Sequence, residues 1–218
     1  MVAVESYLLL TLVWTSWCVV HSLMICIPVT NYLETQLGIH FRFYRLAYNL
    51  IAITTLALPL LLSLCLQQNE TVLFGWSGIF VMVRFFLIGI ALTLFVSGAR
   101  QYSMASFLGI SQFRSRRSHH LLSSQSAFNV SGISAVTRHP WYLGGIIITR
   151  SAPGVFFPST VVTALIVTGY FLVGTVLEER KLVTYFGDSY RDYQQQVSML
   201  FPVKWSKTLF LKNNKRGE

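Results

Sequence analysis

Three stretches of this chain, Ser6 to Leu33, Leu46 to Asn69 and Ser151 to Leu177, contain no Lys, Arg, Asp or Glu. Each exceeds the ~20 residues needed to cross a bilayer core of about 30 Å. A backbone inside hydrocarbon must satisfy its own amides, so uncharged apolar runs of this length fold as spanning helices. Composition agrees, with 53% apolar and 11% charged residues against roughly 25% charged in a soluble domain. The expected fold is an all-α, polytopic integral membrane bundle. A length of 218 residues allows four to six spans in one compact unit, and no linker composition or internal repeat divides it.

Charge and breakers place about five spans. The first runs from about Tyr7 to Pro28 and reads as a retained helix, because no basic n-region or small-residue cleavage site precedes it. The connection Asn31 to Arg45 interleaves Phe41, Phe43 and Tyr44 with Arg42 and Arg45 and suits the membrane interface. A second span, Leu46 to Leu66, turns at Gln67 to Glu70 into a third, Thr71 to Gly98. Arg138 and Arg150 then bracket a short apolar segment of about 16 Å of helix, half a bilayer. Pro153, Gly154 and Pro158 turn it back into a last span ending near Leu177, forming a C-terminal helical hairpin. The sequence thus divides into transmembrane helices over 1–98, a basic connection over 99–137, a core over 138–202 and a basic tail over 203–218. Gly187 can end one helix and Asp188 cap the next, where Tyr190, Tyr193, Val197 and Leu200 recur on one face of an amphipathic segment before Pro202.

The excess of 17 Lys and Arg over 8 Asp and Glu would suggest nucleic acid in a soluble protein. Here the cations sit in the connections and the tail, as the positive-inside rule expects, without the aromatic-interleaved stripe that stacks bases, so no nucleic-acid partner is expected. Arg100, Arg114, Arg116, Arg117 and Arg138, in a connection without an acid, mark its side as cytoplasmic, which puts the N-terminus outside and the C-terminus inside. Cys18, Cys26 and Cys65 lie in apolar runs without disulfide or zinc spacing and read as packing residues. His119 and His120 read as solvated, Arg150 as snorkelling. Arg84, central in the third span, must find an acid, backbone carbonyls, water or an anionic substrate group.

Polar groups gather at the two ends of the hairpin: Arg138, His139 and Tyr142 at one, Glu178, Glu179 and Arg180 at the other. Adjacent carboxylates at a membrane boundary are either solvated or facing a cation. The run Arg138-His139-Pro140-Trp141-Tyr142-Leu143-Gly144-Gly145 resembles the R-H-P-x-Y-x-G signature of the isoprenylcysteine carboxyl methyltransferase and phospholipid methyltransferase superfamily. Glu178-Glu179-Arg180-Lys181-Leu182, Phe186-Gly187-Asp188, Tyr190-Arg191-Asp192-Tyr193, Val197 and Pro202 resemble its second block, in the same order.

The resemblance implies an S-adenosyl-L-methionine (SAM) site facing the cytoplasm, with Arg138, His139, Tyr142, Leu143, Gly144, Glu178, Glu179 and Tyr190 as cofactor contacts and no metal. Such carboxylates can accept from ribose or ammonium groups. The third span lacks the G-x-G of phosphatidylethanolamine-type members. His21-Ser22, the run Tyr44 to Asn49 and the run Phe107 to Gln112 resemble NnrU-like proteins and the methanethiol S-methyltransferase group.

The activity implied is methyl transfer to a small hydrophobic or lipidic acceptor drawn from the bilayer, most simply a thiol. Arg191 and His21 are the catalytic candidates, since a thiol with an ordinary pKa near ~8.5 benefits from nearby positive charge. Arg191 can equally face lipid phosphate, and His21 can equally be a structural hydrogen-bonding group. Competing implications are a prenylcysteine or phospholipid acceptor, a non-catalytic NnrU-like protein, and an NADPH-binding reductase core like that of the much longer sterol reductases. Acceptor identity and oligomeric state stay open at this level.

Overall fold

The structure is a computed structural model that describes residues 3–100, 108–110 and 130–206. Its helices are α1 (Val4–Ile25), α2 (Ile27–Leu37), α3 (Tyr44–Gln67), α4 (Ile79–Ala99), α5 (Pro140–Ser151), α6 (Pro158–Phe186) and α7 (Asp188–Gln196). Short 3-10 turns lie at Gly38–Phe43 and Gly132–Ala135, and β1 (Phe74–Gly75) pairs antiparallel with β2 (Val155–Phe156). Among the described residues, four helical segments are long and apolar enough to cross a membrane: α1, the run Ile27–Gln67, α4 and α6. The chain is an all-α, multi-pass membrane protein.

Four long segments stand where the sequence suggests about five spans, because α5 has only 12 residues, about 18 Å of helix. Part of the expected interfacial connection is helical, forming α2, which Gly38 ends at a positive φ of 50°. The third span begins at Ile79 rather than Thr71, since Phe74 and Gly75 join the ribbon. The last helix runs past Leu177 to Phe186, so Glu178 and Glu179 lie on it rather than beyond it. With 29 residues α6 is about 43 Å long, and the ~30 Å apolar layer takes about 20 of them. The remaining C-terminal turns are those that carry the charges. Arg114, Arg116, Arg117, His119 and His120 lie outside the described residues.

The described residues form two compact units. The first draws on Met1–Ser77, Tyr102–Gln125 and Pro153–Val167. Leu10, Trp14 and Cys18 recur every fourth residue and form the buried stripe of α1, while Leu8, Leu12, Val19 and Leu23 stay exposed, the pattern of a helix with one protein face and one lipid face. Trp17 donates to the Ala52 carbonyl of α3 (3.3 Å). Farther along α3, Ser63 meets Thr163 (3.4 Å), Gln67 donates to Thr160 (3.3 Å), and the Glu70 carboxylate accepts from the Ser159 hydroxyl (2.6 Å) and amide (3.2 Å). Glu70 thereby supplies the anion that the N-terminus of α6 favours.

The second unit draws on Gly78–Gln101, Ser126–Ala152 and Thr168–Glu218. Here α4 and α5 pack closely because glycines remove the obstructing carbons. A Cβ at Gly98 would collide with the Trp141 indole, and one at Gly145 would lie 2.5 Å from Phe171 of α6. Trp141 donates to the Phe95 carbonyl (3.1 Å), and Leu94, Leu143, Ile146 and Leu200 form the core beside it. Arg84 finds the backbone: its guanidinium donates to the carbonyls of Ser151 (2.9 Å) and Ala152 (2.8 Å), closing the C-terminal end of α5. Arg150 folds back onto the Ile146 carbonyl of its own helix (3.0 Å).

Candidate functional site

Pro140 occupies the first turn of α5, where its missing N–H costs nothing, and it keeps the preceding His139 out of the helical region (φ −126°, ψ 68°). The backbone just before it is held by the tail: Arg138 N donates to Ser198 O (3.0 Å), His139 N to Met199 O (3.2 Å), and Thr137 bridges Ser198. The Arg138 and His139 side chains are thereby aimed at one residue of α6, Glu179.

The Glu179 carboxylate collects five donors. Arg138 binds it in bidentate fashion, Nε to Oε1 (2.9 Å) and Nη2 to Oε2 (2.7 Å). His139 Nε2 donates to Oε1 (2.6 Å), Tyr190 Oη to the same oxygen (2.7 Å), and Gln194 Nε2 to Oε2 (2.5 Å). A carboxylate offers about four lone-pair directions, so this one is saturated from within the chain. The remaining Arg138 nitrogen, Nη1, donates to the carbonyls of Gln194 (3.0 Å) and Val197 (2.5 Å). Arg138, His139 and Glu179 are all below 10% exposed at the side chain. Such a buried set stands only because every charge has a partner and every donor an acceptor.

Helix α7 contributes through its buried face. Burial, with the Glu179 hydrogen bond second, pushes the Tyr190 phenol far above its ordinary range. Burial likewise pushes Tyr193 up to about 12. Both therefore stay protonated and act as donors, Tyr190 to Glu179 and Tyr193 to the Ser134 carbonyl (2.6 Å). The turn from α6 into α7 needs Gly187, which sits at φ 57° and is itself the N-cap. Asp188 follows as the first helical residue, and its carboxylate takes Arg191 (2.7 Å) rather than backbone amides.

Glu178, Glu179, Arg138, His139 and Tyr190 thus come together. Glu178 is the freer carboxylate, 36% exposed, with Oε2 3.7 Å from His139 Nδ1. Tyr142 stands beside the His139 ring, centroids 5.6 Å apart. Leu143 lies in the apolar core, and Gly144 faces Ala91 and Phe95 of α4. Arg191 is exposed and paired with Asp188. His21 belongs to the first unit, stacked on Trp17 (4.8 Å) and hydrogen-bonded through Nε2 to the Tyr48 hydroxyl (2.7 Å). The sequence reading missed Gln194, although it falls four residues after Tyr190 and so on the same helix face, which was the available signal. It also missed an open recess of about 450 Å³ lined by Val176, Glu179, Arg180, Val183, Thr184, Gln194 and Met199. Among the described residues no group of three His, Cys, Asp or Glu could hold a metal ion.

Fold and cluster together define a multi-pass helical membrane protein whose C-terminal unit is organised around one buried carboxylate. No family model and no solved structure matches the chain. Methanethiol S-methyltransferase 1 of Bradyrhizobium diazoefficiens is 40% identical over 91 residues, 40% of this chain and 32% of that protein. Methanethiol S-methyltransferase of Pseudomonas deceptionensis is 40% identical over 76 residues, 35% of this chain and 29% of its own. That of Mycobacterium tuberculosis is 42% identical over 65 residues, 30% of this chain and 26% of its own. The chain therefore spans about a third or less of the length of these curated relatives.

Proposed function

We propose that this protein is an integral membrane, SAM-dependent methyltransferase whose acceptor is a small hydrophobic thiol such as methanethiol. The observation that carries the reading is the 40% identity over 91 residues to a protein named for that reaction. The cluster around Glu179 supports it by giving the hairpin and tail segment 138–202 a rigid polar framework at the end of a spanning helix.

The residues present fit such a cofactor. Val176, Val183 and Met199 offer apolar surface to the cofactor, with Thr184 and Gln194 on the same recess as hydrogen-bonding groups. Glu178 is a partly exposed carboxylate able to accept from ribose or ammonium groups. Bound SAM would supply an activated methyl group on a sulfonium, so the protein needs alignment and exclusion of water more than proton transfer. Glu179, with its oxygens already engaged, acts as organiser: it holds Arg138, His139, Tyr190 and Gln194 in one geometry. The orientation that fits the charge pattern is N-terminus out and C-terminus in, with the cofactor entering from the cytoplasm.

The test uses the full chain purified in detergent with methyl-labelled SAM, offered methanethiol, a prenylcysteine and phosphatidylethanolamine in parallel. Label in the thioether alone is expected. Label in the prenylcysteine ester or the lipid would overturn the choice of acceptor, and SAM binding without label anywhere would overturn the enzymatic reading.

A further inference from the structure

The charged side chains of the second unit are mostly engaged within it. Arg138 meets Glu179, Arg191 meets Asp188, Arg84 and Arg150 meet backbone carbonyls, and Lys204 Nζ donates to Gln194 O (2.8 Å) and Gln195 O (2.9 Å). The Arg180 guanidinium, like the side chains of Lys181 and Asp192, makes no hydrogen bond or ion pair among the described residues, and of the three only Arg180 lines the recess. Its neighbours at helical spacing, Val176, Leu177, Val183 and Thr184, offer no acid. The adjacent Glu179 is saturated by its five donors.

The polar groups nearest in the recess complete a pattern. Gln194 spends its side-chain amide nitrogen on Glu179, which fixes the amide and leaves the side-chain oxygen Oε1 as the hydrogen-bonding end open to a ligand. Thr184 donates its hydroxyl proton to the Arg180 carbonyl (3.0 Å), so its oxygen can only accept from a ligand. One cation beside two acceptors is the complement of a zwitterion: the guanidinium takes a carboxylate in bidentate fashion, and the two oxygens take an ammonium. Resting on the proposed cofactor, we infer that this recess binds the α-amino-acid end of the cofactor, with Arg180 as the carboxylate anchor and Gln194 and Thr184 receiving the ammonium.

The experiment compares two ligands on the full-length protein in detergent by titration calorimetry: S-adenosylhomocysteine, which has the amino-acid end, and methylthioadenosine, which lacks it. Wild-type protein should bind the first about 10- to 100-fold more tightly, the range for a charged hydrogen-bonded pair. In Arg180→Gln that ratio should fall to within about threefold, through weaker S-adenosylhomocysteine binding and unchanged methylthioadenosine binding. Arg180→Lys, which keeps the charge without the planar fork, should recover part of the difference. Thr184→Val should reduce the ratio by a smaller factor and serves as the second variant if Arg180→Gln does not fold.

Equal weakening of both ligands would overturn the assignment, since it would mark Arg180 as structural. An unchanged ratio together with lost retention on anionic-lipid vesicles would overturn it in favour of a lipid phosphate. Failure of the wild type to bind either ligand would instead sink the cofactor reading itself, and this inference with it.

Discussion

The two units place polar side chains in an apolar setting by different means. In the first, His21 of α1 is met by the Tyr48 hydroxyl and the face of Trp17, and Glu70 is met by the amide and hydroxyl of Ser159 at the start of α6. In the second, Glu179 is surrounded by a guanidinium, an imidazole, a phenol and an amide, all on one carboxylate. Contacts of the first kind save little each, because an unfolded helix in the membrane finds substitutes. Contacts of the second kind are costly to assemble and more costly to break singly, since each removal strands a buried charge. The second unit is thus the part of the chain where geometry is over-determined, the condition a binding site requires.

The sharpest way to break this comparison is Glu179→Gln. It leaves Arg138 buried without its counter-ion and should lower unfolding stability in detergent by about 3 to 5 kcal/mol. A double variant, Glu179→Gln with Arg138→Met, should cost less than the sum of the singles, as expected for residues in one network. A loss below 1 kcal/mol in Glu179→Gln would mean that the cluster is not a keystone.

Paired phenol deletions sharpen the contrast further. Tyr190→Phe withdraws a donor from a carboxylate and should cost about 1.5 to 3 kcal/mol. Tyr48→Phe removes the phenol that meets His21 and should cost about 0.6 kcal/mol, the average for interhelical hydrogen bonds in membranes. Equal losses by thermal unfolding would erase the distinction between the units. The smallest effect belongs to Arg191→Ala, whose exposed pair with Asp188 three residues away is worth under about 0.5 kcal/mol. With folding so little affected, any fall in acceptor turnover in this variant would report contact with substrate.

Much of the fold is legible in one dimension because hydrocarbon imposes a single rule on backbone amides. Length and lack of charge were enough to place α1, α3 and the first part of α6, and length with apolarity placed α4 in spite of Arg84. The pattern missed where apolar residues serve another geometry, as at Phe74 and Phe156, which pair in a ribbon. It also misjudged the end of α6, because charge reads as an exit from the bilayer although a helix can continue beyond it.

The site divides in the same way. The pairing of the Arg138-His139 end with the Glu178-Glu179 end follows from a hairpin, and sequence order alone suggests it. Spacing could not show that Glu179 would be consumed by internal donors while Glu178 kept an exposed face, because both are the same residue type one position apart. A helix turns about 100° per residue, so adjacent carboxylates face different surroundings.

The sequence by itself determined that the chain crosses a membrane as helices and that its ionisable groups collect at the ends of its last hairpin, since both follow from the cost of charge in hydrocarbon. Only the tertiary structure decided which of those groups support one another and which remain available. That partition depends on the approach of α7 and Met199 to α5 and α6, through contacts between residues about 15 to 60 positions apart.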